Sequence, residues 1–398
     1  MEKVRYGIVG MGNMGTGHAK NLMNGYVENG VLAACCDINT EKLNAFKPQL
    51  EAINAENAAK VKYFDNAEEM FKSGEIDCAV IAIPHYDHPK YSIMALNYGL
   101  HVICEKPAGV YTKQVKEMNE VAAKSDKIFA VMFNQRTNPV FKKMREMVME
   151  GAVGEIKRTN WIITDWYRPQ NYYDSGSWRA TWSGEGGGVL FNQAPHNIDL
   201  FQWITGMMPV SVRSHCHFGK WHDIEVEDDV TAYFEYENGA TGVFVTTTAD
   251  APGSNRFEIV GTKGSLIYDA RGTSKLRYGK LEQDEREFNA TYKGGFGEPK
   301  CEWTDIEVEG QPLPQHTYVM NNVSNAILGL EPLYIDGKEG IKGVQLADAM
   351  LLSTWLDKTV EIPFDDDLYL TELNKRVATG RKKNIVEKVL DTSGTYNN

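Results

Sequence analysis

At 398 residues the chain is longer than one hydrophobic core usually supports, and we expect two domains. Its 42% hydrophobic and 24% charged residues are ordinary for a globular protein, and its net charge of −12 argues against the basic surface of a nucleic-acid binder. No apolar run approaches the ~20 residues of a membrane-spanning helix, and six cysteines without a C-x-x-C pair favour a reduced, cytoplasmic compartment.

The chain opens with a pattern typical of a dinucleotide site. Residues 4–9 are an apolar run of strand length, and the motif Gly10-x-Gly12-x-x-Gly15 leads from it into a helix-forming segment. The glycines serve a tight turn, close approach of backbone to a pyrophosphate, and packing of helix on strand. Because a helix N-terminus offers unpaired N–H groups to phosphates, Asn13 and Met14 are also predicted to contact the cofactor.

An acidic residue stands where such a site needs one. Residues 31–36 predict a second strand, and Asp37 follows it, 22 positions after Gly15. A carboxylate there accepts hydrogen bonds from the adenosine ribose hydroxyls. Ile38 and Asn39 come next, with no arginine to neutralise a 2′-phosphate, which favours NAD over NADP. The alternative, a glycine-rich turn with a chance aspartate, is less favoured because strand, helix and spacing agree.

The rest of residues 1–133 continues to alternate strand and helix, as a doubly wound parallel sheet requires. Ligands of such sheets bind outside the carboxyl ends of the strands, where Gly10, Asp37, Pro84 and Glu105 fall. The further predicted strands are 61–64, 78–84, 101–104 and 128–133, and the further helices are 40–60, 66–72, 88–98 and 112–124.

Strands dominate from residue 134 onward. After a helix at 139–150, the turns at 237–239 and 261–264 have hairpin-like spacing, so residues 134–391 are predicted to form an α+β domain with a mostly antiparallel sheet. Residues 280–315 show no clear period, Asp365 to Asp367 suggest a solvated turn, and residues 392–398 are expected to fray. The predicted strands are 155–164, 210–218, 229–236, 241–248, 256–261, 264–269 and 275–278, and the helices are 188–204, 317–328 and 338–358.

Residues 161–182 are unusually aromatic. Four tryptophans and three tyrosines alternate there with two arginines and two aspartates. Aromatic faces stack on the C–H faces of sugars while polar groups reach the hydroxyls, so we predict carbohydrate contact. The alternative is an apolar wedge between domains or subunits. The predicted substrate contacts are Asp165, Tyr167, Arg168, Tyr173, Trp178 and Arg179.

Two further stretches carry candidate chemistry. On the predicted helix at 188–204, Asn192, His196 and Asp199 are spaced i, i+4 and i+7 and would share one polar face along a cleft. An imidazole is suited to accept a hydroxyl proton, although a lone histidine is more often structural. Lys106 ends a predicted strand, where its ammonium either polarises a substrate oxygen or simply meets solvent. The histidines form no cluster with carboxylates or cysteines, so we expect no metal site.

The chain resembles the glucose–fructose oxidoreductase, inositol dehydrogenase and MocA family over most of its length. The resemblance rests on the glycine-rich opening, on residues 76–107 with Glu105-Lys106-Pro107, and on residues 186–199, G-G-G-V-L-F-N-Q-A-P-H-N-I-D. It implies a Rossmann domain followed by a domain whose open sheet commonly forms an oligomer interface, and hence a homo-oligomer such as a dimer or tetramer. It also places Pro84, His88, Glu105 and Lys106 near the cofactor.

The same resemblance implies roles for the candidate residues. It points to Lys106 as a catalytic lysine, to His196 as the general base, and to Asp199 as the family's downstream aspartate. Relatives usually carry an aspartate where this chain has Asn192. An amide cannot accept a proton, so Asn192 can only orient substrate, and the acid–base work moves to His196 and Lys106.

The resulting hypothesis is an NAD-dependent oxidoreductase that moves hydride between nicotinamide and a secondary hydroxyl of a sugar or glycoside, with pyranose C3 as the narrower expectation. One alternative is an inositol or free-sugar dehydrogenase. Another is a glycosidase of the same fold that retains NAD and cleaves by oxidation and elimination. A third is a non-catalytic NAD-sensing protein.

Overall fold

The computed structural model describes residues 3–381 and 383, and they divide into two units. The first unit contains the chain up to Thr137 together with Gln311–Val344. The second contains Asn138–Gly310 and the described residues from Gln345 onward. The predicted tail at 392–398 lies outside the described residues.

The first unit is built on a six-stranded sheet in the order β3-β2-β1-β4-β5-β6, in which every neighbouring pair is parallel. This confirms the predicted doubly wound sheet. The chain crosses from one side of the sheet to the other between β1 and β4, and this switch point is where such sheets bind ligands. The strands are β1 (Val4–Val9), β2 (Gly30–Cys36), β3 (Lys62–Phe64), β4 (Cys78–Ile81), β5 (His101–Cys104) and β6 (Phe129–Val131).

Buried strands and amphipathic helices explain why this unit forms. All four residues of β4 are buried, as expected for a parallel strand covered on both faces. The helices that follow the strands bury one stripe each. They are α1 (Asn13–Met23), α2 (Thr40–Ile53), α3 (Ala55–Ala58), α4 (Ala67–Lys72), α5 (His88–Asn97) and α6 (Thr112–Lys124).

A later segment of the chain returns to this first unit, whereas the sequence prediction placed it in the second domain. Within it, helix α11 (Gln315–Ile327) buries Val319, Met320 and Val323. The hydroxyl of Tyr6 in β1 lies 2.7 Å from Ser324 Oγ, and Asn29 Nδ2 donates to Asn325 Oδ1 at 2.8 Å. Residues 311–344 therefore pack with the six-stranded parallel sheet of the first unit.

The second unit contains a nine-stranded sheet in the order β14-β13-β12-β11-β7-β10-β9-β8-β15. Strands β7 and β10 pair in parallel, and the other neighbouring pairs among the described residues are antiparallel. The prediction of a large, mostly antiparallel sheet is confirmed. The strands are β7 (Ile156–Ile163), β8 (Ser211–Phe218), β9 (Glu227–Glu235), β10 (Thr241–Thr247), β11 (Asn255–Gly261), β12 (Gly264–Asp269), β13 (Leu276–Leu281), β14 (Cys301–Asp305) and β15 (Val360–Glu361).

One face of this sheet is a packed aromatic core and the other is open. Trp161 is fully buried and its ring stacks on Phe257 at 4.4 Å, while Phe201 meets Phe257 at 5.9 Å. On the opposite face, Ile162 and Tyr233 remain 44% and 43% exposed. The remaining helices are α7 (Pro139–Met149), α8 (Gln170–Tyr173), α9 (Pro195–Thr205), α10 (Glu285–Thr291), α12 (Gly340–Leu356) and α13 (Asp366–Thr379).

The stretch 280–315, which shows no clear period in the sequence, contains helix α10 and strand β14. Two local predictions were wrong. The acidic run is not a turn, because Asp365 is the N-cap of α13 and its side chain accepts from the N–H groups of Asp367 and Leu368. The helix predicted at 188–204 begins only at Pro195. None of the described helices is long and apolar enough to cross a membrane.

Candidate active site

The glycine motif forms a tight turn between β1 and α1. Gly10 has φ +92°, and a Cβ on it would lie 2.3 Å from the Ala82 carbonyl oxygen. A Cβ on Gly15 would lie 1.8 Å from the Gly10 carbonyl oxygen, so the helix can pack on the turn only if residue 15 is glycine. A Cβ on Gly12 would meet no atom of the described chain within 4 Å. Packing within the described chain therefore does not require glycine at position 12. A ligand that approaches the backbone closely there would require it.

The N-terminus of α1 is suited to an anion. Gly12 is the N-cap and contributes no side chain, and the first turn, which begins with Asn13 and Met14, carries no acidic residue. Its N–H groups and positive dipole end therefore face the open side of the turn. These features fit the pyrophosphate of a dinucleotide.

Asp37 lies at the end of β2 beside this turn. One carboxylate oxygen accepts from Met11 N at 2.8 Å and the other accepts from Asn39 N at 2.8 Å. The side chain is half-buried, while Ile38 is 88% exposed. Each carboxylate oxygen can accept a second hydrogen bond, so the group is fixed in place yet can still bind ribose hydroxyls.

Glu105 ends β5 as a buried carboxylate. It is 4% exposed, its Oε1 lies 2.6 Å from His18 Nε2, and its Oε2 accepts from Lys106 N at 3.2 Å. Burial alone would raise its pKa, but the bond from His18 and nearby cationic groups outweigh burial and lower the pKa to about 2. Glu105 therefore secures the turn that carries Lys106.

Two histidines that were not among the sequence-based candidates lie near this carboxylate. The ring of His18, on α1, lies edge-on to His316, on α11, with 5.5 Å between centroids. Burial, together with His18, lowers the pKa of His316 to about 4, so its imidazole is neutral near pH 7. His316 could not be predicted because its segment is remote in sequence from the motif.

His88 and Pro84 sit at the same edge of the sheet. The His88 ring is buried, with one nitrogen 2.7 Å from the Pro107 carbonyl oxygen and the other 2.7 Å from that of Ile83. Burial lowers its pKa. His88 thus joins the turns after β4 and β5, and its contact with the cofactor stays a prediction. Lys106 is half-buried and precedes a cis peptide bond to Pro107, and Pro84 is exposed.

In the second unit, helix α9 is enclosed except at one side chain. Of its 11 residues, all but His196 are buried. Asn192 precedes the helix in a turn, so the expected shared face of Asn192, His196 and Asp199 was wrong. Asp199 is 1% exposed and accepts from Gln202 Nε2 at 3.0 Å, which makes it an internal residue of the helix.

Asn192 instead belongs to a hydrogen-bonded cluster with the aromatic segment. Its Oδ1 accepts from the Tyr172 hydroxyl at 3.2 Å, and its Nδ2 donates to Glu185. Arg179 Nη1 donates to the same hydroxyl at 2.9 Å. The guanidinium groups of Arg168 and Arg179 lie 5.3 and 4.7 Å from the Tyr172 ring centroid. Two predicted substrate residues and the predicted orienting amide thus meet at Tyr172.

The choice of Tyr173 over Tyr172 was wrong. Tyr173 is 3% exposed and its hydroxyl donates to Thr248 Oγ1 at 2.7 Å, so it is a core residue. Adjacent residues in a short helix point to different sides, and the sequence does not reveal which side faces the cluster. Trp178 lies against Arg179 at 4.6 Å, and Tyr167 is 50% exposed. Burial raises the pKa of Asp165, which is hydrogen-bonded to Asn255.

Buried carboxylates hold the loops around this cluster. Glu227 is fully buried, and its Oε1 accepts from Gly188 N at 2.8 Å and from Leu190 N at 3.0 Å, in the loop that leads to Asn192. A Cβ on Gly188 would lie 2.0 Å from the Glu227 carbonyl oxygen. Burial raises the pKa of Glu227 to about 8.

Asp228 secures the aromatic segment through a histidine. The carboxylate is fully buried and accepts from the backbone N–H groups of Lys220, Trp221 and His222 at 2.8–3.0 Å. His222 Nδ1 lies 3.0 Å from Asp228, and its Nε2 lies 2.8 Å from the Arg168 carbonyl oxygen. The described residues contain no group of three or more His, Cys, Asp or Glu arranged to hold a metal.

Family models match both units. The model for the oxidoreductase family with an NAD-binding Rossmann fold matches residues 4–133, and the model for the GFO/IDH/MocA C-terminal domain matches residues 141–267. The chain belongs to the GFO/IDH/MocA family of oxidoreductases. The predicted family and the predicted NAD cofactor are confirmed, and residues 4–133 form its NAD-binding Rossmann domain.

The relatives include proteins named for sugars and for a cyclitol. The chain is 28% identical over 273 residues to levoglucosan dehydrogenase of Pseudarthrobacter phenanthrenivorans, covering 60% of this chain and 69% of the relative. It is 26% identical over 273 residues to myo-inositol 2-dehydrogenase of Thermotoga maritima, covering 67% and 75%. The crystal structure of the WlbA dehydrogenase from Bordetella pertussis in complex with NADH and UDP-GlcNAcA is similar at a TM-score of 0.74 and 25% identity, covering 92% and 100%.

The buried pair of Glu105 and His18 predicts a pH-dependent contribution to stability. Because the folded pKa of Glu105 is depressed from 4.5 to about 2, its stabilisation is present above pH 4.5 and is lost as the pH falls towards 2. Glu105→Gln should therefore lower the free energy of unfolding near pH 7 by on the order of 3 kcal/mol, and by less in acid. Urea unfolding at pH 7, 5 and 3 measures this.

The matched control is Glu56→Gln, which removes an exposed carboxylate paired with Lys60 at 2.9 Å. Solvent screens that pair, so little change in unfolding is expected. An equal loss for Glu105→Gln at every pH would contradict the assignment.

Proposed function

We propose that the protein oxidises a ring secondary hydroxyl of a pyranose held in glycosidic linkage, with NAD as hydride acceptor. The observation that carries this proposal is the second-unit cluster, in which the Tyr172 hydroxyl accepts from Arg179 and donates to Asn192, four residues before His196 in the chain. Arginine and amide groups bind sugar hydroxyls, and the adjoining Trp178 ring suits a C–H face.

In the proposed reaction each residue has one task. NAD, when bound, accepts the hydride from the carbinol carbon. His196 accepts the hydroxyl proton, because an imidazole titrates near neutrality and Asn192 cannot take a proton. The ammonium of Lys106 polarises the substrate oxygen, and Asn192 orients the substrate by hydrogen bonds. Gly12, Asn13, Met14 and Asp37 hold the cofactor.

The relatives' substrates support the choice of carbon. Levoglucosan has no primary hydroxyl and no free anomeric centre, so a dehydrogenase acting on it must use C2, C3 or C4. The sugar ring of UDP-GlcNAcA carries free hydroxyls only at C3 and C4. C3 and C4 are common to both, and we favour C3 of a glycoside because another relative is named D-glucoside 3-dehydrogenase. Myo-inositol is the second candidate substrate, because the Thermotoga relative is named for it.

A screen of glycosides, free sugars and inositols against NAD tests the proposed function. We expect NADH formation, followed at 340 nm, to be fastest with a glycoside and to fail with its 3-deoxy analogue. His196→Gln should lower kcat by ~10²–10⁴ with little change in thermal stability, since it removes a general base from a half-buried position and replaces it with a polar side chain of similar size. The matched control is His215→Gln on the exposed side of β8, which should leave kcat unchanged.

The same screen separates the rival functions. Release of the aglycone without net NADH formation would support a glycosidase that retains NAD. Full turnover by the Lys106→Met and His196→Gln variants would favour a protein in which these residues are not catalytic. Turnover of inositol but of no glycoside would shift the assignment to a cyclitol dehydrogenase.

Asp37 is proposed to select NAD over NADP. Asp37→Ala removes the ribose acceptor and the charge that repels a 2′-phosphate, and it should lower the ratio of NADH to NADPH affinity by about tenfold or more. Titration by fluorescence measures both affinities. Asp126→Ala, at an exposed carboxylate, is the control. An unchanged ratio would remove Asp37 from this role.

The open face of the nine-stranded sheet is proposed to form a homo-oligomer contact. Ile162 on β7 and Tyr233 on β9 lie on this face with β10 between them, and both side chains are exposed. A double variant, Ile162→Glu with Tyr233→Glu, should shift the protein to monomer in light scattering, because charges there cannot be desolvated. Tyr26→Glu in the first unit should not. A monomeric wild-type protein would contradict the proposal.

A further inference from the structure

A buried carboxylate stands behind Asn192. Glu185 is 1% exposed, and its two oxygens make different contacts. Oε1 accepts from the side-chain amide of Asn192, and Oε2 accepts from the backbone N–H of Ala180 at 2.6 Å. This residue was not among the sequence-based candidates. It directly precedes the three glycines that start at Gly186.

The contacts of Glu185 close a ring. Arg179 Nη1 donates to the Tyr172 hydroxyl at 2.9 Å, and that hydroxyl donates to Asn192 Oδ1 at 3.2 Å. Arg179 precedes Ala180 in the chain, so the path from Glu185 through Ala180, Arg179, Tyr172 and Asn192 returns to its start. We call these five residues the Glu185 ring.

The chemistry of Arg179 and Glu185 sets the direction of the hydrogen bonds in the ring. A guanidinium can only donate, so the Tyr172 oxygen accepts from Arg179 and uses its hydrogen toward Asn192. A carboxylate can only accept, so the amide nitrogen of Asn192 must face Glu185. The amide oxygen then faces Tyr172. The orientation of the Asn192 amide is thus decided by its neighbours.

The same carboxylate holds the turn that presents Arg179. Ala180 has φ +50°, a left-handed conformation that costs a residue with a side chain on the order of 1 kcal/mol. Its N–H is bonded by Glu185, and Glu185 N in turn donates to the Thr181 carbonyl oxygen at 2.9 Å. A Cβ on Gly184 would lie 2.4 Å from the Trp178 carbonyl oxygen, so the turn is closely packed.

We propose that Glu185 is a positioning residue for the substrate, which fixes the amide of Asn192 and the guanidinium of Arg179 and supplies the negative charge that Asn192 lacks. This rests on the proposed function, in which Asn192 and Arg179 contact the sugar. The negative charge of Glu185 lies one hydrogen bond behind the amide of Asn192 and balances the guanidinium of Arg179 within the ring, while position 192 itself stays neutral.

A double-mutant cycle tests the proposal. In Glu185→Gln, the one amide oxygen at 185 is needed by the fixed backbone N–H of Ala180, so the new NH2 faces the Asn192 amide. Asn192 then reverses and loses its bond from Tyr172. We expect KM for the glycoside to rise about tenfold or more, with a smaller change in kcat. In Asn192→Asp, a part-buried carboxylate faces the buried carboxylate of Glu185, so both Tm and kcat/KM should fall.

The combined variant Glu185→Gln with Asn192→Asp should recover much of both losses. The new amide at 185 donates to the new carboxylate at 192, whose other oxygen again accepts from Tyr172. Glu258→Gln is the matched control, because that carboxylate is part-exposed on β11 and paired with Arg256 at 2.6 Å. It should leave KM unchanged.

Each outcome of the cycle either supports or overturns the positioning role of Glu185. Recovery of KM and Tm in the double variant supports the proposal. A wild-type KM in Glu185→Gln, or strictly additive losses in the cycle, would overturn it. Recovery of Tm without recovery of KM would reduce Glu185 to a structural role and also overturn it. If the wild-type enzyme turns over no carbohydrate, the proposed function fails and the positioning role fails with it. Non-additive Tm values would in that case still establish the ring.

Discussion

Burial strips a carboxylate of its hydration, and the group stays ionised in a protein interior only where hydrogen bonds and opposite charges replace the lost water. The loops that present the candidate site depend on this exchange. Glu105 completes it, since the bond from His18 and nearby cationic groups lower its pKa to about 2. Glu227 does not, and burial raises its pKa to about 8, yet its Oε1 still accepts from the N–H groups of Gly188 and Leu190. Glu185 and Asp228 hold further loops of the second unit. Moving any of these loops would leave a buried acceptor without its donors, which costs several kcal/mol. The loops of each unit are therefore held in place before a ligand arrives.

The parts of the fold that sequence could predict are those whose cause is local. An uninterrupted apolar run such as 78–81 predicts a strand covered on both faces, and the strand–glycine–helix order around Gly10 predicts the turn. At Gly10 and Gly15 the reason is visible in the packing, because a single carbon atom would collide with neighbouring backbone. The position of Asp37 follows from the same strand order, because it comes directly after β2. These predictions needed no knowledge of long-range contacts.

The misses have a long-range cause. Helix α11 has an ordinary amphipathic pattern, which shows that one face is buried but not which sheet buries it. Tyr172 and Tyr173 differ only in the direction of their side chains, which Thr248 and Asn192 reveal from distant parts of the sequence. The start of α9 was predicted seven residues too early, because the glycine-rich turn ahead of it also carries apolar side chains.

Helix α9 leaves only one side chain half-buried, that of His196, while its other ten residues are buried in the second unit. Nearly any replacement of those ten would disturb close packing, so the helix that carries the proposed proton acceptor has almost no freedom to vary. Within residues 165–179, exposed side chains such as Tyr167 have few packing contacts to lose. New substrates in this lineage would accordingly be acquired by altering those exposed positions, with His196 staying where it is.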